Sequence, residues 1–252
     1  MLSAERREAI KQKINVEQRV LIRDLCTEFA TSPVTIRKDL NYLEKKGVLT
    51  KVHGGGILKQ SVMDTLSISE KENIHLKEKE RIAHYAEGLI NKGDVIILDS
   101  GFTAIHIARR LKIRSGITII TNGLNVANEL VGSDNELILV GGVFNKKTFG
   151  LSGEFAENVI INSVADKLFL GVDGVDCNKG LTAYNYEEAK LNRLMIKAAS
   201  ETILIADSTK FGKRAMGFIC HIQEVDKIIT DKGIDRMYLD EIKQLGIDIK
   251  LV

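Results

Sequence analysis

Thr31-Ser32-Pro33-Val34-Thr35-Ile36-Arg37-Lys38-Asp39-Leu40-Asn41-Tyr42-Leu43-Glu44-Lys45-Lys46-Gly47 reads as one helix with its own start and stop. Ser32 suits the N-cap, where its hydroxyl can accept from a free backbone N–H. Pro33 suits the first helical position, where a missing N–H costs nothing. Gly47 is a natural residue just past the end, so the spacing predicts a helix from Pro33 to Lys46. At about 100° per residue, Ile36, Leu40 and Leu43 share one face and must meet a core. Val34, Lys38, Asn41 and Lys45 share the opposite face, with Arg37 on one edge and Thr35 and Tyr42 on the other.

Upstream, Ser3 can cap a helix from Ala4 to about Ile14, and Val20-Leu21-Ile22 is a short apolar run. Leu25, Cys26 and Phe29 give a second short helix, separated from the third by a tight turn at Thr31-Ser32. Downstream, Val48 to His53 reads as a strand ended by Gly54-Gly55-Gly56. Helix, tight turn, helix and basic hairpin make a helix-turn-helix with a wing. The outer face of the third helix then fits a major groove. Arg37 and Lys38 can read guanine or neutralise phosphate, and Asn41 can read adenine. Ser32, Thr35 and the first-turn N–H groups can bind a phosphate. Lys51 and His53 would lie on the wing. The lysines could instead line a solvated face, and His53 alone reads as a surface histidine. The combination is what points to double-stranded DNA.

Charge supports this reading. The 252 residues carry a formal net charge of +2, an average that hides an asymmetry. Residues 1–60 hold 12 Lys/Arg and 7 Asp/Glu, a net +5, and the remainder is −3. Such a split suggests two domains with different partners. The divisions read as residues 1–57 for the DNA-binding domain, a polar linker at 58–73, and a second domain at 74–252. Pro33 is the one proline, which excludes proline-rich disorder. No apolar run approaches a membrane span and no N-terminal stretch reads as a signal peptide. Three scattered cysteines (Cys26, Cys177, Cys220) suggest reduced thiols in a cytoplasmic protein, and no spacing suggests a metal site. No cofactor is implied.

A helix is expected over about 74–90. From Gly93 the pattern becomes β-branched runs alternating with helices. The runs are Val95–Asp99, Ile117–Thr121, Leu137–Val140, Lys167–Val172, Thr202–Asp207, Lys227–Thr230 and Ile247–Val252. The helices include Thr103–Leu111, Leu124–Leu130 and Glu187–Ser200. The fold class is α/β, a mostly parallel sheet with helices on both faces, beside the N-terminal winged unit. Ligands of such sheets bind beyond the carboxyl ends of the strands. Those positions carry Asp99-Ser100-Gly101-Phe102-Thr103, Thr121-Asn122, Gly141-Gly142, Asp173 to Asp176, and Asp207-Ser208-Thr209-Lys210. Ser100, Thr103 and the backbone N–H groups ahead of a helix can hold a phosphate, with Lys210 as a cationic partner. Asp173 and Asp176 could bind sugar hydroxyls or simply cap a loop; both readings stay open.

The stretch from Thr31 to Leu43, with Gly47 and Lys51-Val52-His53-Gly54-Gly55-Gly56, resembles the signature of the DeoR family of bacterial transcriptional regulators. Thr31 and Cys26 depart from it, at positions where the family usually has valine and often alanine, as packing variations. Asp99-Ser100-Gly101-Phe102-Thr103 is similar to that family's phosphate loop, although Phe102 replaces a small hydroxyl residue. Thr121-Asn122, Gly141-Gly142, Gly171 to Gly174 and Ala206 to Gly212 match further family segments. Phe149 to Gly153 and Glu187 to Lys190 lean toward regulators of amino-sugar and galactosamine use. The resemblance implies a repressor of a carbohydrate operon and an effector domain similar in fold to ribose-5-phosphate isomerase. It also implies a dimer or tetramer that releases its operator when a phosphorylated sugar binds. The rival reading is a sugar-phosphate isomerase fused to a DNA-binding module. Enolisation needs a positioned base and acid, and only Asp173 or Asp176 with Lys210 could serve. The sequence therefore favours a sensor with no catalytic residues.

Overall fold

The computed structural model describes residues 2–58 and 72–252, in two compact units, Met1–Leu76 and Lys77–Val252. Most of the expected linker falls on 59–71, outside the described residues.

The N-terminal unit runs α1 (Ser3–Glu17), β1 (Arg19–Leu21), α2 (Ile22–Glu28), α3 (Pro33–Lys45), β2 (Leu49–Val52) and β3 (Gly55–Leu58). Ile10 and Ile14 of α1, Leu25 of α2, and Ile36, Leu40 and Leu43 of α3 close on Val20, Leu49 and Leu58. Helix α1 starts at Ser3, one residue earlier than the expected start at Ala4. Leu2 is the N-cap, and its backbone N–H donates to the Glu5 carboxylate at 2.9 Å, so Ser3 falls in the first turn. Ser32 does cap α3, accepting from the Thr35 N–H at 3.3 Å, with Pro33 in the first turn. The run at Val20 is a strand. It pairs antiparallel with β3, which makes β3 the centre of a three-stranded sheet. This explains why Gly55 lies inside a strand rather than ending one. A Cβ there would fall 2.0 Å from the Val20 carbonyl oxygen. Gly54, at φ +82, makes the wing turn. Leu58, the first residue of the expected linker, is buried in this core.

Helix α4 (Leu76–Glu87) lies in the second unit from Lys77 onward, and is followed by β4 (Val95–Leu98), α5 (Phe102–Leu111), β5 (Ser115–Thr121), α6 (Leu124–Leu130) and β6 (Asp134–Leu139). A hairpin of β7 (Val143–Phe144) and β8 (Leu151–Ser152) leads to α7 (Glu154–Ile161) and β9 (Ala165–Leu170). Then come β10 (Gly174–Asp176), β11 (Gly180–Ala183), α8 (Tyr186–Ala198), β12 (Ala199–Ile205), β13 (Gly217–Cys220), β14 (Lys227–Thr230), α9 (Arg236–Gln244) and β15 (Asp248–Leu251).

Seven strands form one parallel sheet in the order β15-β14-β12-β9-β4-β5-β6. Successive side chains point to opposite faces. Ile96 and Leu98 therefore pack against α4, α5 and α6 through Ile82, Ile107 and Val126. Ile97 packs on the other face, in the cluster that holds Ile160 of α7, Leu191 and Met195 of α8, and Ile242 of α9. The chain winds outward from β4 to β6, then returns to place β9 on the other side of β4. The strand order reverses there, and open α/β sheets bind ligands beyond the strand ends at such a point.

A second, antiparallel sheet of β10, β11 and β13 was not expected, nor were the β7–β8 hairpin, α7 and α9. These strands are two to four residues long, too short to show a period. Among the described residues no helix is long and apolar enough to cross a membrane.

Candidate DNA interface and ligand crevice

On α3, Val34, Arg37, Lys38, Asn41, Tyr42 and Lys45 are exposed, while Ser32 caps and Thr35 is half-buried with its hydroxyl 3.0 Å from that of Ser32. Among the described residues, Arg37, Lys38 and Lys45 have no carboxylate partner. A row of exposed cations without counter-charges is an electrostatic footprint for phosphate. The wing differs. The Lys51 N–H donates to Glu44 at 2.8 Å, and its ammonium lies 3.8 Å from the same carboxylate. This pins the wing to the end of α3 and partly offsets the Lys51 charge. His53 is exposed at the wing turn.

What sets the pose of α3 escaped the sequence reading. Asp39, 1% exposed, accepts from Arg6 Nε at 2.6 Å and Arg7 Nε at 2.7 Å, both on α1. The Arg7 guanidinium also stacks 4.2 Å from the centre of the Tyr42 ring. The available signal was an aspartate beside the apolar stripe of an otherwise basic helix.

In the second unit, Asp99 follows β4 and is buried. Its Oδ2 accepts from the Gly171 N–H at 3.2 Å, after β9, and its Oδ1 faces the Ser100 hydroxyl at 3.4 Å. Burial pushes the Asp99 carboxyl up to about 7; the nearby Glu188 and Asp173 charges add to this, and backbone N–H groups of Ser100 and Gly171 oppose it. Glu188, on α8, is likewise raised, chiefly by burial. It accepts from Asn145 Nδ2 at 3.0 Å and the Thr148 hydroxyl at 2.5 Å. The Asp173 carboxylate accepts from the Tyr184 N–H at 2.7 Å and lies 4.0 Å from the Lys210 ammonium. Three carboxyl groups, from the ends of β4 and β9 and the first turn of α8, thus sense one another.

Asn122, after β5, is 1% exposed. Its Nδ2 donates to the Leu151 carbonyl at 3.4 Å, and its Oδ1 has no hydrogen-bond partner among the described residues. The β7–β8 loop closes over it: the Leu151 N–H donates to the Asn122 carbonyl at 2.8 Å. A Cβ on Gly150 would fall 2.8 Å from the Ser100 hydroxyl and 3.4 Å from Asn122 Nδ2. Ser100, Asn122 and Gly150 therefore meet in one place.

Other expected residues have different surroundings. The Thr121 hydroxyl accepts from the Gly123 N–H at 3.0 Å. Thr103 is buried in the first turn of α5. Gly101 is the N-cap of α5, and the Phe102 ring lies 5.4 Å from the Lys79 ammonium. Gly142 lets the hairpin approach, since a Cβ there would fall 2.4 Å from the Ser152 carbonyl oxygen, whereas Gly141 has open space. Of the two open aspartates, Asp176 is fully engaged. It accepts from the Asn178 and Lys179 N–H groups at 3.0 and 2.8 Å, and from Arg214 Nε at 2.8 Å. The Asp207 carboxylate caps the turn at Thr209. Glu188, Asn145, Thr148 and Gly171 join these groups in the structure and were not among the expected residues. Neither was Lys213, whose ammonium is pushed down by burial and the nearby Lys210 charge.

Residues 6–62 match the DeoR-like helix-turn-helix domain, and residues 74–232 match the DeoR C terminal sensor domain. The chain belongs to the DeoR family. One relative, described as an aga operon transcriptional repressor of Escherichia coli O157:H7, is 36% identical over 99% of this chain and 94% of its own. The glycerol-3-phosphate regulon repressor of Escherichia coli K12 is 33% identical over 92% of each chain. Among solved structures, ribose 5-phosphate isomerase A of Methanocaldococcus jannaschii aligns over 53% of each chain, at 19% identity and a TM-score of 0.40. This DeoR-family protein is a DNA-binding transcription regulator and not an enzyme.

Proposed function

We propose that this regulator represses a carbohydrate-utilisation operon and leaves its operator when a phosphorylated sugar binds at the ends of β4, β5 and β9. The observation that carries the sensor half is Asn122 Oδ1, a buried acceptor after β5, beside the end of β4, with no donor among the described residues. Buried polar atoms are ordinarily satisfied, and a sugar hydroxyl is a donor of the right kind. Asp173 supplies a further acceptor. The N-terminus of α5, with Ser100 beside it, favours an anion through its N–H groups and dipole. Lys210 and Lys213 supply cations for the phosphate. The names of relatives such as the aga and glycerol-3-phosphate repressors support the repressor assignment.

On the DNA side, α3 presents Arg37, Lys38, Asn41 and Lys45 to the major groove, with the wing beside it. Two or more copies match paired half-sites. The ligand acts by favouring arrangements that fit DNA less well. A thermal-shift panel of sugar phosphates tests the sensor, and a gel shift with the active compound tests release. A stabilising sugar phosphate that dissolves the complex is expected. A panel without any shift, or a shift that leaves the complex intact, overturns the proposal.

A further inference from the structure

We propose that Arg7, on α1, is a phosphate-contacting residue of the DNA interface, held ready by Asp39 and Tyr42. The two arginines that meet Asp39 differ in one respect. The Arg6 side chain is 11% exposed and the Arg7 side chain 30% exposed. Each uses Nε on the aspartate, at 2.6 and 2.7 Å. One carboxylate is balanced by one arginine, and Arg6, the buried one, suffices for that. The second guanidinium carries surplus charge. Arg7 spends only Nε on Asp39, and its two terminal NH2 groups have no partner among the described residues.

The position of this charge follows from Tyr42. On a helix at about 100° per residue, Tyr42 lies roughly 40° from Lys38 and 60° from Lys45. It therefore borders the exposed cationic face. Arg7 stacks 4.2 Å from the Tyr42 ring centre and Lys46 lies 5.8 Å from it. The tyrosine ring thus carries a cation from α1 onto the margin of α3. A guanidinium fixed at Nε and on one face has lost most of its rotamer freedom before DNA arrives. A planar fork with free NH2 groups is suited to a phosphate. A phosphate contact carries no sequence information itself, but it fixes register, and here it would couple α1 directly to the placement of α3.

The proposal rests on the DNA-binding role of the N-terminal unit, and the test separates the two. The probe is a labelled duplex that the intact protein has itself selected from a random-sequence pool. Anisotropy titrations across a salt series compare the parent with Arg7→Gln and Lys38→Gln. Loss of a phosphate contact lowers the slope of log K against log salt by about 0.9 per half-site. Arg7→Gln keeps the neutral Asp39–Arg6 pair and is expected to fold with this reduced slope, while Arg7→Lys keeps the parent slope. Weakened binding with an unchanged slope would mean that Arg7 only positions α3, and overturns the proposal. A reduced slope for Lys38→Gln alone leaves the interface on α3 intact while removing Arg7 from it.

A second measurement needs no variant. The parent chain is treated with phenylglyoxal with and without the duplex, and arginine modification is read by mass spectrometry. Protection of Arg7 by DNA is expected, with Arg236 in the other unit modified equally in both. Equal modification of Arg7 in both conditions overturns the assignment.

Discussion

The backbone N–H of Gly171 donates to the Asp99 carboxylate at 3.2 Å, joining the end of β9 to the end of β4 where the strand order reverses. A side chain at 171 would crowd that carboxylate, with its Cβ 3.1 Å from Oδ2. The tie holds a buried carboxyl group at the floor of the crevice.

Asp99 should make stability pH-dependent. Its carboxyl titrates at about 7 in the fold, against about 3.9 in the unfolded chain. The folded state holds the proton more tightly. Its stabilising contribution is complete below the unfolded value and is lost as pH rises through about 7. The full span is about 4 kcal/mol at most. Asp99→Asn keeps an acceptor for Gly171 and removes the titration. The parent is expected to lose melting temperature relative to this variant between about pH 4 and pH 7. A difference that stays flat with pH would refute the assignment.

Gly150→Ala should separate sensing from folding. Its methyl group would press on the Ser100 hydroxyl. The fold is expected to lose about 1–3 kcal/mol, the usual cost of overpacking, and the sugar-phosphate thermal shift to disappear. A normal ligand response in the variant would place the ligand away from Ser100.

Lys210→Ala removes the cation beside Asp173. A smaller thermal shift with phosphorylated sugars is expected, and no loss of operator binding in a gel shift. Equal shifts in variant and parent would rule Lys210 out as a phosphate partner.

Asp39→Ala leaves the buried Arg6 without its carboxylate. Breaking a buried pair in this way costs about 3–5 kcal/mol. Denaturant unfolding of the N-terminal unit should shift by that amount, and the ligand response of the second unit should be kept. A change below about 1 kcal/mol would show that α1 and α3 are held by their apolar contacts alone.

Arg37→Ala and Lys38→Ala act on exposed side chains. Each is expected to weaken operator binding by about 1–3 kcal/mol where it reads a base, with melting almost unchanged. Unchanged affinity in a folded variant would take that residue out of the interface.

Local signals carried most of the fold. Ser32, Pro33 and Gly47 mark the ends of α3 without help from the rest of the chain, and the β-branched runs located the seven strands. The runs overshot at several carboxyl ends, as at Asp99 and Val172, because those residues already bend into the crevice loops. Three-residue β1 has no period to detect, and only its pairing with β3 makes it a strand. Of the proposed ligand site, the residues that follow strands were legible, as at Asp99, Asn122 and Asp173. The rest, where other elements reach in, was not legible. Glu188 comes from a helix, and Asn145, Thr148 and Gly150 from a loop whose path depends on the whole sheet. The partners of Asp39 lie 32 and 33 residues away, beyond the reach of any local pattern.

The placement of β3 also has a mechanical consequence. β3 is the middle strand of the winged unit's sheet, with β1 on one side and β2 on the other. A pull along the axis of β3 therefore loads two hydrogen-bond ladders in shear, where an edge strand would load one. Such a load would be shared by β1 and β2, and through them by α1 and α3, which precede these strands in the chain.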